Sequence, residues 1–383
     1  MSFVDIVIGL QMGDEGKGKI VDYLSKDYDI IARFGGGDNA GHTLFKNGKK
    51  IVLHNIPSGI LNKDVLNVIG NGCVINPISF KAEVEMLMEN GVDVSNIVIS
   101  DRAHIITPFH IKWDAYNESK LGNNKIGSTL KGIGPCYTDK TSRKGLRVRD
   151  IQEPDFSSWG VRMMQQTKLP FNPPNLTEFY KACEFMRKFR IEETHILINK
   201  ALDKGQRVLA EGAQAFGLDV DFGTYPYVTS SVTSTGGVCQ GLGVSPKLIG
   251  NIYGVVKAYY TRVGNGPFIT ELFDDVGDEI CEVGKEFGST TGRKRRCGWL
   301  NLDELKEAIM VTGTSDIILT KVDVLEGFDE VKVLSDGELI SFPGWNTTSH
   351  KDVELDHFLE TIKNILGIPF KLISHGPERD DIY

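Results

Sequence analysis

Gly13-Asp-Glu-Gly-Lys17-Gly18-Lys19 lies between an apolar run and a stretch of helical spacing. Glycines let backbone N–H groups approach phosphate oxygens, the helix that follows offers its positive end, and lysines neutralise charge. The spacing follows the phosphate-loop pattern G-x-x-x-x-G-K-[ST] as far as Ile20, which stands where a magnesium-binding hydroxyl belongs. A magnesium ligand then has to come from elsewhere, and Asp14 is the carboxylate at hand. Taken alone, the same residues would also serve as a lysine-rich turn capping a helix.

Three further segments carry chemistry. Gly35-Gly-Gly-Asp-Asn39-Ala-Gly41-His42-Thr43 is a tight loop ending in donors. A lone histidine is more often structural, but one placed just after a phosphate loop suits proton transfer. Gly288-Ser-Thr290-Thr291-Gly-Arg293-Lys-Arg295-Arg296 places four cations in a row. Such a run is usually a solvated face, yet after a Thr-Thr-Gly turn it suits bidentate recognition of carboxylate or phosphate. Thr320-Lys321-Val322-Asp323 follows the apolar run Ile317–Leu319. A carboxylate at a strand end can accept from N1–H and the 2-amino group of guanine, with the lysine stem over the base. A helix N-cap is the alternative for Asp323.

These loops need a frame. Apolar runs at Phe3–Leu10, Ile30–Phe34, Val68–Ile69, Ile97–Ser100, Val208–Ala210, Ile249–Val256 and Ile317–Leu319 have strand length. Helical patterns lie between them at Lys17–Ser25, Pro77–Glu89, Leu176–Lys204 and Leu302–Val311. The alternation predicts an α/β fold, a large, mostly parallel central sheet flanked by helices, with a P-loop-like nucleotide site. The 383 residues read as a single domain with insertions, with a helical subregion at about 77–205 and a polar, proline-bearing excursion at Gln152–Pro174.

The net charge of −8 gives no global attraction for nucleic acid or an anionic membrane, so anionic ligands need a locally basic pocket. The arginine-rich run above supplies it. Six scattered cysteines form no C-x-x-C pair and no zinc spacing, which reads as reduced, mostly buried thiols in a cytosolic protein. The N-terminal residues read as a strand entering a loop rather than a signal peptide, and no stretch reaches the length of a membrane span.

In combination, the segments QMGDEGKGKIVD, NAGHT, GIGPCYTDKTSRKGLRV, EGAQ, GTYPYVTSS, TGGVCQGLG, GVVKAYYTRVG, TTGRKRRCGWL, TKVDVL and SHGPER resemble the adenylosuccinate synthetase family, in order and across nearly the whole chain. The resemblance implies a GTP-dependent ligase. It phosphorylates O6 of IMP and then displaces that phosphate with the amine of L-aspartate. Asp14 would remove the N1 proton and ligate Mg2+, His42 would donate to O6 and the γ-phosphate, Lys17 would offset phosphoryl charge, and Gln214 would hold O6. Gly16, Lys17, Gly18 and Thr43 would bind GTP phosphates, and the Gly41 carbonyl would reach magnesium. Lys321, Asp323, Ser374 and Gly376 would form the guanine end. Asn39, Thr129, Thr229 and Arg293 would hold the purine nucleotide, with Arg143 reaching it from the other subunit of a homodimer. Thr290, Thr291, Arg293 and Arg295 would bind aspartate.

The chain departs from the family pattern around the acceptor nucleotide. Met12, Leu130, Lys131, Ala215, Phe216, Gly217, Val232 and Asn265 replace the usual residues, and the chain is shorter before Glu211 and between Val333 and Trp345. Gly217, where the family has leucine, would make room for a 2-amino group, and Asn265 would alter sugar contacts. Viral relatives acting on dGMP for diaminopurine synthesis form the alternative. In the better-known ones the base aspartate is replaced, whereas here Asp14 is retained. A non-catalytic nucleotide-binding regulator would require loss of Asp14, His42 or Gln214, and all three are present.

Overall fold

The structure, a computed structural model, describes residues 3–46, 48–122, 125–160, 169–288, 292, 294–348 and 352–383. Its apolar runs become β1 (Val4–Gly9), β2 (Ile30–Arg33), β3 (Leu66–Ile69), β4 (Ile97–Ser100), β5 (Arg190–Glu192), β6 (Val208–Glu211), β7 (Ile249–Lys257), β8 (Asp316–Thr320) and β9 (Phe370–Ile373). They form a nine-stranded sheet in the order β9-β8-β7-β1-β6-β2-β3-β4-β5. Every neighbouring pair is parallel. Crossover helices cover both faces of such a sheet, so its central strands are apolar throughout instead of alternating. All six residues of β1 are buried.

The strand order places the site. From β1 the chain moves outward through β2 to β5, returns to β6 beside β1, and then builds β7 to β9 on the other side. The reversal opens a crevice at the carboxyl ends of the central strands, where α/β sheets bind ligands. Helix α1 (Lys17–Leu24) follows the loop after β1, α2 (Pro77–Glu89) matches its expected span, and α3 (Pro108–Lys120) and α4 (Ile133–Thr141) form one wall of the crevice.

The helical reading of Leu176–Lys204 is corrected. That span holds two helices, Thr177–Met186 and Thr194–Asp203, with β5 between them. Phe189 docks edge-on against Phe80 of α2 at 5.1 Å, and the residues after it take the open edge of β4. Three residues are too few to show strand periodicity, and β9 at the opposite edge escapes a sequence reading for a similar reason. The excursion expected at Gln152–Pro174 lies partly outside the described residues. The shortened stretch between Val333 and Trp345 forms a tight hairpin, Glu330–Ser335 against Glu338–Pro343, turned by Asp336 and Gly337 with φ of 53° and 79°. Five of the six cysteines are buried and all are free thiols. Among the described residues no helix is long and apolar enough to cross a membrane.

Two clips lock the loop after β1 to its neighbours. The Gln11 amide, 1% exposed, donates to the Lys257 and Tyr259 carbonyls at 3.1 and 3.0 Å and accepts the Lys257 N–H at 2.9 Å. The Thr320 hydroxyl donates to the Glu15 carbonyl at 2.7 Å. Gln11→Ala strands three buried backbone groups, so urea unfolding of that variant is expected to show a loss of about 3 kcal/mol.

Candidate active site

The crevice is a cleft of about 1510 Å³. Of the residues singled out from sequence, Asp14, Gly16, Lys17, Gly18, Asn39, Gly41, His42, Thr43, Thr129, Gln214, Thr229, Arg295 and Lys321 line it. Arg143, Asp323, Ser374 and Gly376 are not on its wall. Thr290, Thr291 and Arg293 lie outside the described residues.

The phosphate loop enters α1 through Gly16 at φ 87°, a left-handed conformation suited to glycine. Gly18 packs so closely that a Cβ there would sit 2.7 Å from the His42 Cβ, which sets α1 directly against the strand that carries the histidine. Lys17 is buried and donates to Glu15 Oε2 at 2.6 Å, while Glu15 Oε1 accepts the Gly13 N–H at 2.8 Å. The phosphate role expected for Lys19 is corrected. Its ammonium donates to Ser374 Oγ at 2.9 Å and to the Gly376 and Asp381 carbonyls at 2.7 and 3.0 Å, away from the cleft. These short bonds to the C-terminal segment hold it against α1 (Lys17–Leu24), and burial lowers its pKa to about 8.

His42 is held by a residue that the sequence reading passed over. Its Nδ1 lies 2.5 Å from Oε1 of Glu211, the last residue of β6. Glu211 also accepts the Ser58 N–H at 2.7 Å and the Ser58 hydroxyl at 2.6 Å. Burial pushes the imidazole below its ordinary pKa, with Glu211 pulling the other way. Burial would raise the Glu211 carboxyl, but His42 and Arg33 outweigh it and hold the group below its ordinary value. Glu211 is therefore ionised, Nδ1 carries the proton it accepts, and Nε2 is the ring atom left to a ligand in the cleft. The signal was present: Glu211 ends a strand in the segment Glu211-Gly-Ala-Gln214, at the edge where such folds place functional side chains.

Asp14 Oδ2 lies 2.9 Å from Arg295 Nε, and Arg295 also pairs with the buried Glu286. The residues of the expected magnesium donors, Asp14 and the Gly41 carbonyl, both line the cleft. Among the described residues no group of three or more acidic, histidine or cysteine side chains could hold a metal. One carboxylate with one carbonyl fits a magnesium ion whose other ligands are phosphate oxygens and water, since Mg2+ is seldom caged by protein alone.

The opposite wall is built by acids of α3. Asp114 accepts the Ser128 hydroxyl at 2.7 Å and the Gly132 N–H at 2.9 Å, and Glu118 accepts the Gly127 and Ser128 N–H groups at 2.6 and 3.2 Å. They fix the loop carrying Thr129 at the N-terminus of α4, a position that suits an anion. Thr229 and Ser230 also line the cleft. Gln214 has φ 58°, and its Oε1 is buried with no hydrogen-bond partner among the described residues, so its amide is open to a polar group in the cleft.

One expectation about the acceptor pocket changes. Gly217 leaves no open space, because a Cβ there would lie 2.6 Å from Met12 Sδ and 2.8 Å from the Gln11 carbonyl. Glycine at 217 accommodates Met12 instead of a 2-amino group. Asn265 lines the cleft, and its side-chain nitrogen donates to the Lys125 carbonyl at 2.7 Å. At the other end, Asp323 is mostly buried with Oδ1 unpartnered among the described residues, and burial raises its pKa.

The family model of adenylosuccinate synthetase matches residues 6–338. The adenylosuccinate synthetase of Porphyromonas gingivalis is 46% identical over 416 residues, covering 99% of this chain and 98% of that protein. That of Flavobacterium johnsoniae is 46% identical over 415 residues, covering 98% of each. The structure of fully ligated adenylosuccinate synthetase from Plasmodium falciparum superimposes with a TM-score of 0.92 at 36% identity, covering 100% of this chain and 99% of that one. Cyanophage S-2L succinoaminodeoxyadenylate synthetase, bound to dGMP and dATP, superimposes with a TM-score of 0.70 at 21% identity over 100% and 95% of the two chains, a likeness of fold alone.

Glu211→Gln keeps the shape around His42 but removes the charge that supports a protonated imidazole. It is expected to lower kcat by about 100-fold, with nucleotide KM values within about threefold of wild type. Steady-state kinetics of the purified variant checks this.

Proposed function

The chain belongs to the adenylosuccinate synthetase family of C–N bond-forming ligases, and we propose that its cleft converts IMP, L-aspartate and GTP to adenylosuccinate, GDP and phosphate. The observation that carries the reading is the meeting of Asp14, Lys17, His42 and Gln214 in one cleft, with His42 backed by an ionised carboxylate. We take the chain as one domain in which about residues 77–205 are a largely helical elaboration of the sheet.

A 6-oxo group leaves poorly, so the reaction activates it first. Asp14 accepts the N1 proton, which makes O6 nucleophilic. The O6–Pγ bond forms as the bond from Pγ to the β-phosphate bridging oxygen breaks, releasing GDP. An anionic phosphoryl group beside Nε2 raises the proton affinity of His42, so the ring donates there while Glu211 balances its charge. Lys17 offsets phosphoryl charge, and Gln214 binds the 6-oxygen. The α-amine of aspartate then attacks C6, the C6–O bond breaks, phosphate departs, and the amine loses a proton. Asp14 and the Gly41 carbonyl would hold Mg2+, which neutralises charge on the transferring phosphoryl group. Arg295 holds the aspartate carboxylate, together with Thr290, Thr291 and Arg293. Gly16, Gly18 and Thr43 complete the GTP phosphate site. Lys321 covers guanine and Asp323 accepts from its edge, while Ser374 and Gly376, held to α1 by Lys19, complete the guanine end.

Asn39, Thr129 and Thr229 bind the acceptor 5′-phosphate. Arg143 is exposed, has φ 64° and lies off its own cleft wall, an arrangement that suits a homodimer in which it completes the partner's site. Retention of Asp14 and the filling of the Gly217 space by Met12 favour IMP over a 2-amino acceptor.

Phosphate release with GTP, Mg2+ and L-aspartate is expected with IMP and not with GMP or dGMP. Turnover with dGMP alone would reverse the acceptor assignment, and silence with all three would remove the catalytic reading. Asp14→Ala and Arg143→Ala are each expected to be nearly inactive, and mixing them under subunit exchange should restore activity toward about a quarter of wild type, since half the dimers then hold one intact site of two. No recovery despite confirmed exchange would sink the shared site.

A further inference from the structure

Glu286 is fully buried and belongs to no element of the sheet. Its carboxylate accepts the Tyr259 hydroxyl at 2.5 Å and the Lys321 ammonium at 2.7 Å, pairs with Arg295, and has Lys257 at 3.4 Å. Burial alone would raise its carboxyl, but Lys257, Lys321 and Arg295 outweigh burial and hold it well below the usual carboxylate range. It is therefore an anion shared by three cations, and the three differ in position. Lys257 is sealed in the core, whereas Lys321 and Arg295 both line the cleft.

We propose that Glu286 is a positioning residue that couples the nucleotide-base end of the GTP site to the aspartate end of the cleft. The path is contiguous. Lys321, after β8, is held at φ 59° with its ammonium on Glu286 and on the Gly284 carbonyl at 2.9 Å. Glu286 holds Arg295 through its side chain and, through its carbonyl, accepts the Arg295 N–H at 2.9 Å. Arg295 in turn reaches Asp14. A buried carboxylate has a fixed number of acceptor positions, so a ligand that draws Lys321 or Arg295 toward itself changes what Glu286 offers the other. Occupation of the GTP base site thereby sets the guanidinium that receives aspartate, without contact between the two ligands. By thermodynamic reciprocity, aspartate affects GTP to the same degree. The polar core of this link is buried and water-excluded, which keeps its electrostatics strong.

The inference rests on the ligase reading above, so wild-type turnover is established first with GTP, Mg2+, L-aspartate and IMP. Silence there defeats the functional reading and the coupling with it. With an active wild type, Glu286→Gln is expected to raise KM for both L-aspartate and GTP by about tenfold, the scale of one charge-assisted hydrogen bond, while KM for IMP stays within about twofold. A change in only one of the two, or an equal loss toward all three substrates, overturns the coupling. If that variant does not fold, Lys321→Ala decides. This half-buried side chain touches Arg295 only through Glu286 among the described contacts, so KM for L-aspartate, measured at saturating GTP, should rise about fivefold or more. An unchanged aspartate KM beside a raised GTP KM overturns the proposal and leaves the ligase reading standing.

Discussion

An acidic chain that handles phosphates and carboxylates must hold cations at the edge of a cleft without letting them collapse onto its own surface acids. Buried carboxylates solve this problem three times. Glu15 holds Lys17, Glu211 holds the His42 ring, and Glu286 holds Arg295 and Lys321. All three acids are fully buried. A buried pair is costly to form and costlier to break, because removing one partner leaves the other charge desolvated and alone. The arrangement fixes each cation or ring in direction, so its remaining hydrogen-bonding positions face the cleft.

The sheet exists to bring these pairs together. Glu15 follows β1, Glu211 ends β6, Lys257 ends β7 and Thr320 ends β8. These four strands are neighbours in the sheet order although they span the chain. Side chains such as Gln11 and Thr320 cross-link the loops that leave them, so the phosphate loop is positioned by the two strands beside it as well as by its own glycines.

One departure from the usual family sequence, the pairing of Met12 with Gly217, is accommodated by packing. Met12 fills the volume that Gly217 vacates, and Arg262 beneath them donates to the Thr224 hydroxyl at 2.9 Å and to the Pro267 carbonyl at 3.1 Å. Asn265 spends its amide on the Lys125 carbonyl. Met12 and Gly217 are packed against each other, so the pair fills its space without enlarging the pocket.

Sequence alone determined the α/β class, the central strands within a residue or two, and the phosphate loop. Those features rest on local physics: apolar runs of strand length, glycine spacing, and clustered cations. Only the tertiary structure decided which acids matter. Glu286 carries no local signal that separates it from other glutamates, and Glu211 only its place at a strand end, since their importance comes from partners 35 and 169 residues away. The same holds for Lys19, whose place in the phosphate motif suggested a ligand contact until the C-terminal segment supplied three nearer acceptors. The edge strands β5 and β9 were likewise invisible, because a few residues become a strand only when a neighbouring backbone offers unpaired hydrogen bonds.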